Sequence, residues 1–496
     1  MKNHLITLAL ILSFYFSEAQ EKFKPTEESF KANYEFPVWF QDAKFGIWSH
    51  WGPQAVPRMG DHFARRLYWQ NSRWYDWFVK NYGHPSEKGF KDLLPDWKAE
   101  KWNPDALMKL YKKAGARYFV SMGVHHDNFF LWDSKIHKWN SANMGPKKDV
   151  VGLWQAAAKK EGLYFGVSEH LGASYTWFQD SHRSDNKGPL KGVRYDGANP
   201  EYWDFYHKPT AGNDDGWYTI DPENHQNWLT AISELIDLYN PDLLYSDGGM
   251  AFDQVGMEMI SHYYNNNLEA NDGKLTAIYT CKSGDPSPYW VLDFERGKLD
   301  GISKYPWQTD SSIADWYYDS DRPYKKSPEV IHMLVDIVSK NGNLLLNIVQ
   351  TPEGDLDAEV VQLLEDLAIW FEDNGEGIHE TRPWKIYGEG PSTNSELEKG
   401  NHGGIKETDS KPYTHEDFRF TQKGNNIYAF CMNKGEGNYT IKSFGKGSDL
   451  LDKKIKSVKL SGSNEKLKWK QSVEGLIINP PSTLPEYQTI SFKITM

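Results

Sequence analysis

Short apolar runs alternate with amphipathic stretches from about residue 40 to residue 377, and this alternation restricts the fold more than any other feature. The runs are nearly continuous in apolar residues, which is typical of parallel strands buried on both faces. They lie at 44–50, 117–124, 163–170, 242–248, 275–280 and 343–349. Strand after helix over this length predicts an α/β fold of the (β/α)8, TIM-like barrel type, with an open doubly wound sheet as the alternative. Two strands are harder to place, and 289–294 and 305–313 are their weak candidates.

The stretches between strands carry helix start and stop signals. Residues 103–116 begin Asn-Pro, 223–240 end before a proline, and 327–343 begin Ser-Pro and contain an Asn-Gly near their end. After about residue 378 a loop-like stretch leads into short alternating segments separated by Gly, Asn and Lys. We therefore predict a barrel over residues 25–377 and a C-terminal antiparallel β-sandwich over residues 378–496.

The N-terminus resembles a secretory signal peptide over residues 1–19. It has a basic start at Lys2, an apolar stretch over Leu5–Phe16, and small residues around Ala19. We expect cleavage after Ala19 and a secreted or periplasmic protein, with a buried N-terminal helix as the alternative. The apolar stretch is too short to cross a membrane, and no later segment approaches 18 uncharged apolar residues, so we expect no membrane span.

Composition narrows the class of partner. The formal net charge of −12 argues against nucleic acid, because a surface that neutralises phosphates is basic. Aromatic residues make up 15% of the chain, a content that suits either an aromatic-rich core or a surface that stacks on sugar rings. Composition does not separate these two interpretations. With only two cysteines, Cys281 and Cys431, in different predicted domains, we expect two buried thiols and no disulfide.

Polar side chains follow several of the predicted strands. His50 follows the first, His125 and His126 the second, His170 the third, and Asp247 the fourth. In a barrel of this type the chemistry sits where strands end and loops begin, so we expect these side chains to meet at one face. Hydrogen bonding to the hydroxyl groups of a polar ligand is the favoured interpretation, and a structural role for the histidine pair is the alternative.

We expect no metal site and no cofactor. Adjacent strand residues point to opposite faces, so His125 and His126 would rarely bind one ion, and no His-x-His spacing supports them. Asp247 is open to three interpretations: a buried acid paired with Arg or Lys, a metal ligand, or a catalytic carboxylate. Gly248 and Gly249 remove side-chain bulk beside it, which favours a carboxylate that a substrate ring can approach.

The motifs of the barrel region resemble those of glycoside hydrolase family 29, the α-L-fucosidases. They are, in order, AKFGIWSHWG, GARYFVSMGVHHDNFFLWDSKIHKWNS, GPKKDVVG, ELIDLYNPDLLYSDGG and LVDIVSKNGNLLLNIV, followed by FEDNGEGIHETRPW. The resemblance covers roughly residues 35–390. It implies a retaining, exo-acting hydrolase that releases terminal α-linked L-fucose from a fucosylated oligo- or polysaccharide, with no cofactor and with Asp247 as the nucleophile.

The resemblance also implies the sugar ligands, with some departures from the family pattern. Arg73 stands where relatives usually have Glu before a Trp, His170 stands where they often have Tyr, and Tyr245-Ser246 replaces an aromatic pair. Fucose remains the expected sugar despite these departures. The alternatives are an enzyme that acts on a related sugar such as galactose, or a catalytically inactive binding protein. The expected substrate-binding residues are His50, Trp51, Trp74, His125, His126, Trp132, His170 and Tyr245.

The second carboxylate of a retaining glycosidase is less fixed by sequence. It must lie about 5–5.5 Å from the nucleophile and hold a proton for the leaving oxygen. We predict Glu295 as the acid/base, because it follows a short apolar run, reaches further than an Asp, and falls where relatives place this residue. Asp293 is the runner-up. The other candidates downstream of Asp247 are Asp285, Asp300 and Asp310.

Overall fold

A computed structural model describes residues 22–282, 287–393, 398, 400, 404–407 and 412–496 of the chain. The predicted signal peptide and the acid candidate Asp285 lie outside these residues, and they stay predictions. Within the described ranges no helix is both long enough and apolar enough to cross a membrane.

Parallel strands close into a barrel in the first 350 residues, as predicted. The six apolar runs and both weak candidates supply the barrel strands. The strands of this region are β1 (Phe45–Ser49), β2 (Tyr118–Val124), β3 (Tyr164–Glu169), β4 (Leu243–Ser246), β5 (Ile278–Cys281), β6 (Val291–Asp293), β7 (Gly297–Lys298), β8 (Trp307–Ser312) and β9 (Gly342–Asn347). The last of them, β9, pairs back onto β1 and completes the ring in the order β1-β2-β3-β4-β5-β6-β8-β9, while β7 stays outside.

The three predicted helices form where the cap signals place them. The helix that begins at Pro104 is capped by Asn103, whose side chain accepts from the backbone N–H of Ala106. The helix that begins at Pro222 ends at Asn240, which adopts the left-handed conformation that stops a helix. The helices are α1 (Glu27–Asn33), α2 (Val38–Ala43), α3 (Phe63–Arg66), α4 (Arg73–Tyr82), α5 (Phe90–Leu93), α6 (Pro104–Lys113), α7 (Val150–Glu161), α8 (Ser174–Trp177), α9 (Trp203–Tyr206), α10 (Pro222–Tyr239), α11 (Gln254–Ala270), α12 (Ser327–Ser339) and α13 (Ala358–Asn374).

The barrel interior is filled by large side chains at both ends. Tyr118 lies against Gly46, where even a Cβ would approach its ring to 2.3 Å, and its hydroxyl donates to the Gln308 side chain. Nearer the carboxyl ends of the strands, Trp48 crosses the interior and its indole N–H donates to the Ser168 hydroxyl at 3.0 Å. The ring of Trp48 therefore lies directly beneath the polar side chains at the strand ends.

The C-terminal region folds into antiparallel sheets of five and three strands that share a second apolar core, as predicted for a sandwich. The expectation of a loop-like stretch after about residue 378 is wrong in part, because a strand, β10 (Arg382–Glu389), lies there at the sheet edge, where proline is tolerated. Cys281 and Cys431 are both buried, and no disulfide occurs among the described residues. The strands are β10 (Arg382–Glu389), β11 (Ile405–Lys406), β12 (Phe418–Lys423), β13 (Asn426–Cys431), β14 (Tyr439–Ile441), β15 (Ser457–Leu460), β16 (Trp469–Gln471), β17 (Leu476–Ile478) and β18 (Ile490–Thr495).

Candidate active site

A pocket of about 360 Å³ opens at the carboxyl ends of the barrel strands. Larger cavities of about 550 Å³ lie between barrel helices and the sandwich, away from the strands that carry the polar ends. The pocket at the strand ends collects the side chains with chemistry, where barrels of this type hold their active sites. Its lining residues are Trp48, His50, Asp61, His62, His125, His126, His170, Trp217, Asp247, Gly248, Lys282, Glu295, Asp310 and Trp316.

Asp247 directly follows β4, and hydrogen bonds to its backbone N–H and carbonyl fix its position. Its N–H donates to the carbonyl of Glu169 at the end of the neighbouring strand, at 3.0 Å. The hydroxyl of Tyr218 donates to its carbonyl at 3.2 Å from the other side. Gly248 then takes a φ of +79°, which turns the chain sharply away from the carboxylate. The side chain of Asp247 is consequently fixed, with 12% of its surface exposed to the pocket.

Lys282 follows β5 and joins the two carboxylates that the sequence analysis singled out. Its Nζ lies 2.6 Å from Oδ1 of Asp247 and 2.7 Å from Oε2 of Glu295. Burial opposes the charge of Lys282, but the carboxylates of Asp247, Asp310 and Glu295 outweigh burial and raise its pKa well above the usual range. Lys282 is thus a permanent ammonium ion between the two acids.

The electrostatics keep Asp247 ionised. Burial alone would raise the pKa of its carboxyl. The Lys282 ammonium, together with a hydrogen bond from His126, reverses this effect and holds the pKa of Asp247 well below its usual range. The Nε2 atom of His126 lies 3.3 Å from Oδ2 of Asp247, and Nδ1 of His170 lies 3.5 Å from the same oxygen.

The carboxylates of Asp247 and Glu295 lie close together. Because both contact the same nitrogen, their two bound oxygens can be no further apart than the sum of 2.6 and 2.7 Å. That limit agrees with the separation of about 5–5.5 Å in retaining glycosidases, and it is shorter than the 6.5–9.5 Å of inverting ones. The other oxygen of Glu295 accepts from the indole N–H of Trp316 at 3.3 Å.

Arg296, which stands next to Glu295, points away from the pocket. Its guanidinium donates to the carbonyl of Ala314 at 3.0 Å, while its backbone takes a φ of +47°. The backbone N–H of Arg296 donates to the carbonyl of Asp310, and its own carbonyl accepts from Glu407 in the C-terminal region. The loop that carries Glu295 is therefore held from both sides, and the cation beside Glu295 is Lys282.

Four histidines form the polar wall of the pocket, as the strand ends predicted. All four are buried, and burial lowers the pKa of His50 to about 4 and the pKa values of His125 and His170 well below their usual range. Neither ring nitrogen of His50 has a hydrogen-bond partner within the described part of the chain. His50, His125 and His170 are therefore uncharged rings at neutral pH, suited to donate to and accept from hydroxyl groups.

Among the described residues, both groups of three side chains that could hold a metal ion contain these histidines. The nitrogens of His50, His125 and His170 lie within 4.8 Å of one another, as do ligand atoms of His126, His170 and Asp247. Three neutral imidazoles suit a transition-metal ion. The sugar chemistry expected of this pocket needs no such ion, because paired carboxylates supply both the nucleophile and the proton.

Asp61 and His62 also line the pocket, and the sequence analysis missed both. His62 takes a φ of +65°, and its Nε2 lies 2.8 Å from Oδ2 of Asp61. Burial opposes the charge of each, but their mutual attraction lowers the pKa of Asp61 and raises the pKa of His62. Nδ1 of His125 lies 2.8 Å from the side-chain amide of Gln54, which leaves Nε2 of His125 facing Asp61 at 3.7 Å.

Three tryptophans predicted to contact substrate lie outside the lining of this pocket. Trp51 lies in the core, where its ring meets Trp97 edge-on and its N–H donates to the carbonyl of Thr351. Trp132 is buried behind the site and donates to Glu234. Trp74 lies on α4, with an arginine guanidinium on its ring and its N–H bound to a backbone carbonyl of the preceding loop. None of the three lines the pocket.

Tyr245 lies beneath the pocket and contacts it indirectly. Its hydroxyl donates to Oδ2 of Asp310 at 3.0 Å, and its ring lies 5.9 Å from that of His170. Arg73 is on the outer surface, where it pairs with Asp319 at 3.2 Å. Arg73 therefore places no charge in this pocket.

The remaining acid candidates differ in burial. Asp293 is fully buried below the pocket, accepts from the amide of Gln308 at 2.7 Å, and does not line it. Burial, reinforced by the carboxylate of Asp310, raises the pKa of Asp293 well above its usual range, and burial raises the pKa of Asp310 to about 6. Asp300 is exposed. Glu295 alone among the described candidates contacts the same ammonium as Asp247 at hydrogen-bond distance.

The chain is similar to known alpha-L-fucosidases in sequence and in structure. A family model described as alpha-L-fucosidase matches residues 10–376. The tissue alpha-L-fucosidase of Mus musculus is 29% identical over 384 residues, covering 75% of this chain and 77% of that protein. The tissue alpha-L-fucosidase of Macaca fascicularis is 27% identical over 476 residues, covering 92% and 88%. The structure of Thermotoga maritima alpha-fucosidase with a mechanism-based inhibitor is similar with a TM-score of 0.73 and 25% identity, covering 96% of this chain and 100% of that one.

Proposed function

The chain belongs to the alpha-L-fucosidase family, glycoside hydrolase family 29, and we propose that it is a retaining, exo-acting α-L-fucosidase that releases terminal α-linked L-fucose from fucosylated glycans. The observation that carries this proposal is the pair formed by Asp247 and Glu295 on the Lys282 ammonium. The close spacing of the two carboxylates favours double displacement over a single inverting attack by water, which needs a wider gap.

In the first step Asp247 attacks the anomeric carbon. A bond forms from its carboxylate oxygen to that carbon, the glycosidic bond breaks, and the leaving oxygen takes a proton from Glu295. Ionised Asp247 suits this role, because Lys282 and His126 hold its pKa well below the usual range. In the second step Glu295 removes a proton from water, whose oxygen displaces Asp247, and the configuration at the anomeric carbon is retained.

The shape of the pocket supports release of a terminal sugar. Its inner end is closed by Trp48 and by the buried rings of His50 and His170, so a chain cannot pass through. A sugar bound there meets uncharged imidazoles that donate to and accept from its hydroxyl groups. The ring of Trp316, which stacks on His50 at 5.4 Å, adds an apolar face beside Glu295.

We also propose that the protein acts outside the cytoplasm. The support is the signal-peptide pattern of residues 1–19, with Lys2 before an apolar stretch and Ala19 at the expected cleavage site. N-terminal sequencing of protein recovered from the medium or periplasm should begin at Gln20. Recovery of the uncleaved chain from the cytoplasm alone would contradict secretion and leave the enzymatic proposal untouched.

The test of function is hydrolysis of aryl glycosides of fucose, galactose and arabinose, with the first-formed anomer read by NMR. We expect fucoside hydrolysis with retention. Asp247→Ala should abolish turnover, and added azide should restore it as the β-fucosyl azide, whereas Glu295→Ala with azide should give the α-azide. Asp300→Ala, which removes an exposed carboxylate of the neighbouring loop, is the matched control and should leave the rate unchanged.

Other outcomes would contradict specific parts of this proposal. An inverted product would exclude Asp247 as nucleophile. If the galactoside is hydrolysed faster than the fucoside, the preferred substrate is a galactoside. Sugar binding without release from any glycoside would indicate a catalytically inactive binding protein.

A further inference from the structure

Trp217 is a large apolar side chain left exposed at the mouth of the pocket. Its indole lines the pocket, yet 47% of the residue's surface is open to solvent. The histidines at the inner end, such as His50 and His170, are only 4% exposed. An exposed aromatic ring beside a pocket is a typical contact for a ligand that is partly apolar and partly wet. Trp217 therefore marks the outer end of this site.

The loop that carries Trp217 is fixed in place. Buried Asp214 accepts a hydrogen bond from the hydroxyl of Thr219 and so closes the loop on itself. The next residue, Tyr218, donates to the carbonyls of Asp247 at 3.2 Å and Gly249 at 2.9 Å, which ties the loop to the end of β4. A contact surface held in this way loses little conformational freedom when a ligand binds.

The indole lies beside the reacting groups without reaching them. Its ring meets that of His126 edge-on at 5.3 Å, and His126 in turn contacts Asp247. A Cβ on Gly248 would lie 2.9 Å from the indole nitrogen, so this close approach to the strand end requires glycine there. Trp217 is therefore positioned outward from Asp247, on the solvent side of His126.

We propose that Trp217 is the stacking platform of a leaving-group subsite, which binds the apolar C–H face of the pyranose ring attached to the terminal sugar. The inference rests on the fucosidase function proposed above. In a pocket closed at its inner end, the terminal sugar fills the buried part beside Asp247. The glycosidic oxygen and the ring beyond it then point to the mouth, where the exposed indole lies. The preferred substrates are accordingly saccharides, in which a sugar ring follows the scissile bond.

The test compares two substrates on one variant. A fucosyl disaccharide has a pyranose leaving group, whereas α-L-fucosyl fluoride has no ring beyond the scissile bond. For Trp217→Ala we expect the ratio of kcat/KM for the disaccharide to kcat/KM for the fluoride to fall about two- to tenfold, the factor that corresponds to an aromatic stacking contact. Trp217→Phe should restore most of the ratio. Ile220→Ala, on the same loop and 60% exposed, is the matched control and should leave it unchanged.

Two results would overturn the subsite. An equal loss for both substrates would place Trp217 against the terminal sugar itself, and an unchanged ratio would remove it from substrate binding. Both results require a wild-type enzyme that hydrolyses the fluoride. A wild-type protein that hydrolyses neither substrate would instead contradict the proposed function, so the two failures are distinguishable.

Discussion

Replacing Lys282 by methionine removes the ammonium shared by Asp247 and Glu295, and should show how Asp247 is kept ionised. The contact of Nζ with Oδ1 of Asp247, at 2.6 Å, is a charge-assisted hydrogen bond. Such a bond is worth about 1.5–3 kcal/mol, which is roughly a ten- to hundredfold change in the equilibrium between ionised and protonated Asp247. Losing it should therefore raise the pKa of Asp247 from its depressed value.

The assay is the pH dependence of kcat/KM for α-L-fucosyl fluoride, which reports the ionisation of the enzyme before substrate binds. Fluoride leaves with little help from a proton donor, so the change reports on Asp247 rather than on Glu295. We expect the acidic limb of the pH profile to move to higher pH. The loss of kcat/KM in Lys282→Met relative to wild type should then be about ten- to a hundredfold greater at the pH of the wild-type acidic limb than at neutral pH. Lys282→Arg, which keeps the charge, should retain the wild-type limb.

Folding must be checked first, because Lys282→Met leaves the carboxylates of Asp247, Glu295 and Asp310 close together. Breaking a buried ion pair costs about 3–5 kcal/mol, so the melting temperature should fall. Lys282→Gln, which keeps hydrogen bonding without charge, provides a second uncharged variant. If the acidic limbs of folded wild type and of folded uncharged variants superimpose, Lys282 does not set the ionisation of Asp247, and the electrostatic reasoning is refuted.

Three further predictions address the fold, the strand end and the expectation that no metal ion is needed. Asp336 on α12 pairs with Arg419 on β12 at 2.6 Å. Asp336→Asn should therefore lower the free energy of unfolding by about 3–5 kcal/mol, and Arg419→Met should lower it by less. Since its partners hold the pKa of Asp336 below the usual range, this deficit should shrink as the pH falls below about 4 in denaturant titrations. Gly248→Ala places a Cβ 2.7 Å from the hydroxyl of Tyr218 at a φ of +79°. It should lower the free energy of unfolding by more than about 1 kcal/mol and remove most of kcat. The control Gly212→Ala, which has open space around it, should change neither quantity. Dialysis against a chelator should leave fucoside hydrolysis unchanged, and recovery of activity only on adding a divalent ion would contradict this.

The barrel could be predicted from the sequence because its strands are buried on both faces. Runs such as 117–124 and 343–349 are apolar throughout, and this pattern does not depend on distant contacts. β6 was harder to predict because it spans three residues, Val291–Asp293, and ends on a buried acid. β10 was missed because an edge strand needs no apolar face on its outer side and tolerates proline and glycine.

Part of the pocket was also predictable, and one omission had a usable signal. Asp247 and the histidines were found because each follows an apolar run. Lys282 follows β5 in the same way, directly after Cys281, but the predicted run ends at Thr280, and a lysine two residues later resembles an ordinary solvated residue. Asp61, His62 and Trp217 lie on long loops, where no periodicity relates a residue to the strand ends. Their places depend on backbone turns, such as the φ of +65° at His62, that local sequence does not specify.

The positions of Trp51 and of the histidine pair have a common explanation. Alternation of side-chain direction holds within a strand, and it fails once the strand has ended. His125 and His126 follow the last residue of β2, and the turn that they enter brings both rings into the pocket, 4.6 Å apart. His50 and Trp51 also follow the end of a strand, but there the backbone sends His50 inward and Trp51 into the core against Trp97. The two residue pairs have the same position after a strand, yet their side chains point in different directions. The loop conformation after the last ladder hydrogen bond therefore decides which side chain reaches the pocket.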